Sequence, residues 1–339
     1  MGDTTPVPGS PSATNSAAAP TPAPSTVGCA DVDPTLAGRI AFTLRSGNAA
    51  GIATIAADGS AFVQVVEPGP DRPQPHAGTA APHWLPEDRI LFGSNRAGGP
   101  DDWHLFVVDA RGGDPRQLTS GSRAIEYHGV PAPDASTIAY AKAVATRDPA
   151  QPFREAGIFI SDADGGGERQ LTSPPDGTFD EWPDISPDGT RVAFTRALGG
   201  APGSARSAIL VVNLDGTMLH EITDPKLNAI RPRWAPDGSL LVFSSNADNY
   251  SSASANVWSV APDGTGLRQL TFASGTAQAF FPDWSPDGRH LVFLDHRAGS
   301  GTQDLAIIGR DGDFTCTLWS GMSSHLAGDP DWGTGASAP

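Results

Sequence analysis

The amino-acid sequence predicts an all-β protein, a six-bladed β-propeller closed by pairing of the C-terminal strand into the first blade. Glycine (39 residues) and proline (32 residues) are abundant, whereas charged residues make up only 18% of the chain. This composition favours many short strands and turns over long charged helices. In addition, a phrase of the form Pro-x-Trp-x-Pro-Asp-Gly recurs along the chain, with apolar segments between the copies. Such repetition is typical of a propeller.

The repeated phrase predicts the number of blades. It is complete at residues 232–238 and 282–288, and looser copies occur at 82–88, 130–134, 183–189 and 330–332. Its anchor positions, 46 to 55 residues apart, are Trp84, Val130, Ile185, Trp234, Trp284 and Trp332. Six anchors predict six units, and we expect the recurring tryptophans to pack between blades rather than to bind a ligand.

Each unit contains four predicted strands. An apolar segment such as 191–195, 240–244 or 290–294 follows the Asp-Gly turn, and its β-branched and aromatic residues favour a strand. A second apolar segment, another Asp/Gly turn and a short segment ending in Gln-Leu-Thr or a similar triplet complete the unit. The first unit lacks the tryptophan phrase and no strands follow the last one, so we predict that the strand of Trp332 becomes the innermost strand of the first blade.

The first residues differ from the rest in composition. Residues 1–35 are mostly Pro, Ala, Ser and Thr, which predicts a disordered tether, followed by the propeller at 36–334 and a tail at 335–339. A tether of this kind commonly follows a secretion or lipoprotein signal, which this sequence does not contain. We therefore expect a periplasmic, secreted or cell-surface protein, with the linker as a candidate anchor point.

Two cysteines, Cys29 and Cys316, lie near opposite ends of the chain. An oxidising compartment would permit a disulfide between them, and two unrelated thiols are the alternative. A zinc site is not expected here, because two cysteines are too few ligands.

The overall charge restricts the choice of partner. A formal net charge of −16 would repel a phosphate backbone, so nucleic acid is not expected as a partner. The sequence has no apolar run of about 18 residues or more, and no membrane span is predicted. We expect a monomer that binds an envelope protein, a peptide or a glycan.

The repeats resemble those of a known family. The phrases W-[SA]-P-D-G, V-x-x-D-x-x-G and Q-L-T, found at 234–238, 284–288, 109–119, 162–172 and 260–271, are similar to the TolB-type propeller repeat over about residues 37–333. The resemblance implies a six-bladed propeller. It also implies a periplasmic protein of the Tol-Pal type, which binds a peptidoglycan-associated lipoprotein on one propeller face. The α/β N-terminal domain of TolB has no counterpart in this sequence.

One face of the predicted propeller carries the longer loops, including 67–83, 142–156, 196–207 and 245–255, and variable loops on a rigid scaffold usually carry function. We predict that the positions just before each inner strand ring the channel mouth on that face: His83, His128, Asp184, Arg233, Asp283 and Asp331. Behind them lie Glu181, Arg231 and Asp329, and the aromatic walls are Tyr127, Trp182 and Phe281. Such a polar funnel suits a peptide, a sugar or a partner loop. The alternative is that these charges only pair with each other, Arg233 neutralising Asp184 or Asp283.

Catalysis is the second function class. His83 and His128, with nearby carboxylates, suggest a divalent metal site, and some propellers resembling this one are metal-dependent polysaccharide lyases. A third histidine is missing from the equivalent positions, and only His325 falls near the funnel edge. We therefore predict a binding module without a cofactor and assign no catalytic residue. The alternative is a metal-dependent lyase or hydrolase acting on a sugar or small molecule at the same funnel.

Overall fold

The computed structural model describes residue 29 and residues 33–46, 49–67, 81–96, 102–121, 124–148, 151–198, 206–246, 254–299, 302–323 and 327–335. Residues 1–28 and 30–32 of the predicted tether, His325 and residues 336–339 of the predicted tail lie outside the described residues. From the tether segment, Cys29 is buried, and the carboxylate of Asp33 lies 3.1 Å from His290 of blade 6.

The described chain is almost entirely β-strand. The strands of the first half are β1 (Arg39–Ser46), β2 (Ala49–Ala56), β3 (Val63–Val66), β4 (His83–Leu85), β5 (Arg89–Ser94), β6 (His104–Asp109), β7 (Arg116–Gln117), β8 (Ala124–Pro131), β9 (Thr137–Asp148), β10 (Gln151–Asp162) and β11 (Arg169–Gln170). Those of the second half are β12 (Thr178–Ile185), β13 (Arg191–Leu198), β14 (Arg206–Asn213), β15 (His220–Glu221), β16 (Ala229–Trp234), β17 (Leu241–Ser245), β18 (Asn256–Val260), β19 (Arg268–Gln269), β20 (Gln278–Trp284), β21 (His290–His296), β22 (Thr302–Gly309), β23 (Thr315–Ser323) and β24 (Ala327–Gly333). A 3-10 turn, Pro225–Leu227, precedes β16. No helix among the described residues is long and apolar enough to cross a membrane.

These strands form six four-stranded antiparallel sheets. Blade 1 consists of β24-β1-β2-β3, blade 2 of β4 to β7, blade 3 of β8 to β11, blade 4 of β12 to β15, blade 5 of β16 to β19 and blade 6 of β20 to β23. Apolar clusters fill the spaces between neighbouring blades; one, for example, joins Ala139 and Ile158 of blade 3 to Phe194 of blade 4. The predicted six-bladed propeller is confirmed.

The ring closes through β24. Trp332 and Gly333 pair with Ile40 and Arg39 of β1, and the Trp332 indole Nε1 donates to the carbonyl oxygen of Ala37 at 2.9 Å. The last strand therefore supplies the inner strand of the first blade, which confirms the predicted closure. Without it, β1 would be an unpaired edge.

A disulfide joins Cys29 to Cys316 on β23. Both cysteines are buried in an apolar cluster that includes Ile40 of blade 1 and Ile307 of blade 6. The crosslink therefore lies at the junction where the first and last blades meet, and it spans 287 residues of sequence.

The Asp-Gly turns form the hairpins of one face, as their chemistry requires. In the turn between β12 and β13, Asp188 Oδ1 accepts the backbone N–H of Thr190 at 3.0 Å, and Gly189 adopts a φ of 70°. Glycine tolerates this left-handed conformation at little cost. We call this side of the propeller the hairpin face and the opposite side the loop face.

Candidate functional site

A bulge recurs in the inner strands and sets which side chains point into the channel. The ladder register shifts in β8, β12, β16, β20 and β24, as expected where a bulge re-aims side chains. At each bulge, and before β4, one residue has a positive φ between 34° and 59°: Ala81, His128, Trp182, Arg231, Phe281 and Asp329. We call these six residues the upper ring. The lower ring lies two residues further along each strand: His83, Val130, Asp184, Arg233, Asp283 and Asp331.

The two rings correct the sequence prediction in two respects: the depth of the funnel residues and the position of His128. The predicted funnel residues lie inside the inner strands rather than before them; β12, for example, begins at Thr178 and includes Asp184 as its penultimate residue. The lower ring is therefore close to the hairpin face, not at the mouth of the loop face. His128 belongs to the upper ring, and its lower-ring position is taken by Val130. The sequence prediction was wrong because the inner strands start earlier than the tryptophan phrase, and because blade 3 has no tryptophan to mark its register: Val130, and not His128 two residues before it, is equivalent to Asp184.

Arg233 is the centre of the lower ring. Its guanidinium lies 3.3 Å from Asp184, 3.5 Å from Asp283 and 3.6 Å from Asp331, and all four side chains are largely buried. Burial alone would lower the pKa of Arg233, but the surrounding carboxylates raise it above its ordinary value. One arginine of blade 5 thus pairs with carboxylates of blades 4, 6 and 1. This arrangement corresponds to the alternative stated from the sequence, in which Arg233 neutralises the neighbouring carboxylates.

The same carboxylates join neighbouring blades. Asp184 accepts the backbone N–H of Trp234 at 2.6 Å, Asp283 that of Trp332 at 2.7 Å, and Asp331 that of Trp84 at 2.8 Å. In each case the acceptor lies in one blade and the donor in the next. These lower-ring carboxylates are therefore part of the propeller framework, with charge-assisted hydrogen bonds across blade boundaries.

Burial changes the protonation of the lower ring. It raises the pKa of Asp283 to about 7 and that of Asp184 to about 6, although Arg233 opposes both shifts. The carboxyl of Asp331 behaves differently: burial would raise its pKa, but His83 and Arg233 hold it below the ordinary value. Burial and the charge of Arg233 lower the pKa of His83. The lower ring therefore holds two carboxyl groups, those of Asp283 and Asp184, whose pKa values burial moves toward neutral pH.

The upper ring is a second layer, in which four residues are buried and Trp182 and Phe281 are half-buried. Arg231 pairs with Asp329 across the channel and lies over the Phe281 ring at 4.5 Å. His128 stacks on Trp182 with ring centroids 5.1 Å apart. Burial and the neighbouring charges of Arg231, His83 and Arg233 lower the pKa of His128 well below its usual value. Together the two rings occupy the channel with paired charges and stacked rings.

The upper ring and its neighbours lie on the loop-face side of the lower ring, because each inner strand starts at the loop face, and Tyr127, Phe280 and Phe281 also pack against the apolar clusters between blades. Tyr127, Glu181, Trp182, Phe280 and Phe281 are half-buried there, in contrast to the buried lower ring. Phe280 contacts Phe281 edge to face at 4.8 Å, and Tyr127 contacts His128 at 4.7 Å. Sequence reasoning missed Phe280; its position next to Phe281 at the bulge was the available signal. We call these five residues the mouth.

Two further histidines pair with carboxylates away from the channel. His104 lies 3.1 Å from Glu126 between blades 2 and 3, and His290 lies 3.1 Å from Asp33. Within the described ranges, no group of three or more His, Cys, Asp or Glu side chains is placed to hold a metal ion. His325, which the sequence placed near the funnel edge, lies outside those ranges.

Known proteins resemble the chain in part. No family model matches it. A TolB homologue of Chlorobium luteolum is 30% identical over 151 residues, which is 44% of this chain and 30% of that protein. The solved TolB of Acinetobacter baumannii superposes with a TM-score of 0.64 at 19% identity, covering 87% of this chain and 66% of that one. The chain therefore spans less than two thirds of the length of each of these relatives.

Enzymes share the fold as well. An oligogalacturonate lyase in complex with manganese superposes with a TM-score of 0.51 at 16% identity, over 84% of this chain and 74% of that one. A puromycin hydrolase superposes with a TM-score of 0.56 at 17% identity, over 84% of this chain and 45% of that one. At these identities the likeness extends to the fold alone. The sequence match and the shared fold together confirm the predicted resemblance to TolB-type six-bladed β-propellers.

Proposed function

We propose that the protein is an exported binding module that holds a protein or peptide segment at the mouth of its channel on the loop face. The observation that carries this proposal is the contrast between the two ends of the inner strands. The lower ring is buried and its charges are mutually satisfied, whereas the mouth presents half-buried aromatic side chains. Partly exposed aromatic side chains held on a rigid scaffold are typical of recognition sites.

Charge favours a basic segment as the ligand. The chain carries a formal net charge of −16, and Glu181 adds a carboxylate to the mouth. Such a field attracts cationic partners and speeds their association. A peptide with apolar and basic side chains therefore fits the mouth better than an acidic one. A glycan at this mouth was the other binding candidate, and it would be recognised by neutral hydrogen bonds rather than by charge.

The disulfide supports an extracytoplasmic location. Bonds of this kind persist in oxidising compartments such as the periplasm or the cell exterior. The Cys29–Cys316 crosslink is buried at the blade 6 to blade 1 junction. An envelope protein is therefore the proposed source of the bound segment, in agreement with the tether that the sequence predicts at its start.

Site-specific photocrosslinking tests the proposal. A photoreactive amino acid at Phe280 or Trp182 should capture a defined segment of an envelope protein, whereas the same group at Leu219, which is 46% exposed on blade 4, should not. The captured segment is then synthesised and titrated against the protein. Trp182→Ala should weaken binding about 10-fold, or about 1.4 kcal/mol, and a melting curve of each variant checks that it is folded at the temperature of the titration. Equal affinities, or capture at Leu219 alone, would disprove the proposal.

The alternative of a metal-dependent lyase or hydrolase has its own test. Metal analysis of the purified protein and thermal shifts with calcium, manganese and zinc would detect a bound ion. One ion per chain that is lost in the His83→Ala and His128→Ala variants would favour the enzyme. Cleavage of an oligosaccharide that depends on this ion would then replace the binding proposal.

A further inference from the structure

Blade 5 carries a cleft on the loop face, away from the channel. The cleft has a volume of about 340 Å³ and lies between the end of β17, the start of β18 and the segment after β19. Its lining includes Asn246, Asn256, Trp258, Gln269, Phe272 and Ser274. This volume is at the lower end of the range for small-molecule sites, about 300–1,000 Å³.

Phe272 stands out at the rim of this cleft because its side chain is 79% exposed. It follows the Gln-Leu-Thr triplet of blade 5, and the equivalent positions in blades 2, 3 and 4 are Ser120, Ser173 and Asp224. The repeat therefore does not need an aromatic residue here. Exposing a phenylalanine costs free energy in water, and an aromatic side chain at a cleft rim is a common mark of ligand contact.

The cleft is polar but uncharged. None of the described residues that line it is acidic or basic, although the whole chain has a formal net charge of −16. Gln269 donates from Nε2 to the carbonyl of Thr271 at 2.8 Å, which fixes its amide and leaves Oε1 as an acceptor. Asn246 accepts from Asn228 at 2.6 Å, which leaves its Nδ2 as a donor.

We propose that this cleft binds a neutral saccharide, with Phe272 contacting the apolar face of a sugar ring. A pyranose has C–H groups on its faces and hydroxyl groups around its edge. The cleft matches both parts of such a ring. The sugar hydroxyls can exchange hydrogen bonds with the uncharged amide and hydroxyl groups of the lining, and the C–H face of the sugar can pack on the aromatic ring of Phe272. Among the described lining residues, a charged ligand finds no ion-pair partner. The site is separate from the mouth, so it does not depend on the channel proposal.

Phe272 also lines a second cleft, which provides a control for the position of the ligand. This neighbouring cleft, of about 390 Å³, lies toward blade 6 and includes Asp295 and Arg297. A ligand seated there would contact charged groups, whereas a ligand in the first cleft would contact Asn246. Variants of Asn246 and of Asp295 therefore show in which of the two clefts a ligand that contacts Phe272 is bound.

The test titrates the purified protein with neutral oligosaccharides of β-linked glucose, N-acetylglucosamine, mannose and galactose, and with anionic oligogalacturonate. At least one neutral oligosaccharide is expected to bind. Phe272→Ser, which copies the residue of blades 2 and 3, should weaken that binding at least about 10-fold, and Asn246→Ala should also weaken it. Asp295→Asn and Met218→Ser, the latter at a residue 73% exposed outside the cleft, should leave it unchanged. The affinity should not fall with added salt, because none of the described lining residues is charged.

Three results would overturn the inference. The first is no binding of any neutral oligosaccharide at concentrations up to about 10 mM, where even weak sites with about millimolar affinity are occupied. The second is binding that Asp295→Asn removes and Asn246→Ala does not, which would seat the ligand in the neighbouring cleft. The third is binding of the anionic oligomer alone. Thermal melting of each variant ensures that a lost signal is not caused by unfolding.

Discussion

The guanidinium of Arg233 in blade 5 lies 3.3 Å from the imidazole of His83 in blade 2, the blade opposite it in the ring. His83 Nδ1 lies 2.8 Å from Asp331 Oδ1. Because an ionised carboxylate can only accept, Nδ1 carries the hydrogen and Nε2 is the acceptor that faces Arg233. A neutral histidine in this position agrees with the lowered pKa of His83, which burial and Arg233 cause. A single side chain thus spans the channel.

Removing the Arg233 charge should destabilise the propeller strongly. Arg233→Met leaves three buried carboxylates without their shared cation, and breaking a buried ion pair costs about 3–5 kcal/mol. Arg268→Met is the matched control, because Arg268 and Asp311 form an exposed pair on the hairpin face that should contribute at most about 1 kcal/mol. Urea unfolding at pH 7.5 measures both free energies. Similar losses in the two variants would contradict the central role of Arg233.

Stability should rise when the pH falls from about 8 to about 6.5. Burial raises the pKa of Asp283 to about 7 and that of Asp184 to about 6, above the value of about 3.9 expected when unfolded. In this window the folded protein binds more protons than the unfolded chain, so the free energy of unfolding falls as the pH rises through the folded pKa values. Below a pH of about 6.5, the histidines oppose this rise in stability. Burial lowers the pKa of His128 and of His83 in the folded protein, so these histidines take up protons more readily in the unfolded chain, which favours unfolding.

An Asp283→Asn variant separates this effect from general acid behaviour. Asparagine has a similar shape, can still accept from Trp332 and does not titrate, so the rise in stability between pH 8 and 6.5 should shrink. Asp58→Asn, at an exposed turn where hydrogen bonds from Ser60 lower the pKa, should keep the full rise. Urea unfolding curves at several pH values measure the slopes. An unchanged slope in Asp283→Asn would disprove the assignment.

Closure of the ring by β24 should be essential for stability. Deleting residues 328–339 removes the inner strand of blade 1 and exposes β1, so we expect a sharp fall in melting temperature or failure to fold. Trp332→Ala is a milder version and should cost about 3–5 kcal/mol, because the side chain is 5% exposed and its loss leaves a cavity. Deleting only residues 336–339 is the control. An unchanged melting temperature after deletion of residues 328–339 would contradict closure of the ring by β24.

The disulfide should stabilise the same junction. Cys29→Ser with Cys316→Ser is expected to lower the free energy of unfolding by about 2–5 kcal/mol, mainly by releasing a constraint on the unfolded chain. A reducing agent should lower the melting temperature of the wild-type protein but not that of the double variant. Equal stability of the wild-type and double-variant proteins would show that the crosslink is not a significant constraint.

Much of the fold follows from local sequence signals. The Asp-Gly turns demand a left-handed residue, as Gly189 shows, and the apolar segments between them are too short for helices. The recurrence of these signals at Trp234, Trp284 and Trp332 therefore predicted blade number and closure. The candidate site was predicted less well. The residues of the two rings were nearly all named, but their depth and layer were misjudged, because the recurring proline between the rings, such as Pro232 between Arg231 and Arg233, was interpreted as part of the tryptophan phrase and not as the position of a bulge.

Local signals in the sequence are sufficient to specify the six-bladed ring, because turn chemistry and strand period are local and repeat in every blade. The cluster around Arg233, which brings together Asp184, Asp283, Asp331 and His83, became visible in the folded chain, since these five residues come from five blades and meet when the ring closes. The exposure of Phe272 was decided in the same way, because burial depends on what the neighbouring blades cover. Local patterns specify elements, whereas a site formed across blades depends on distances that no local pattern contains.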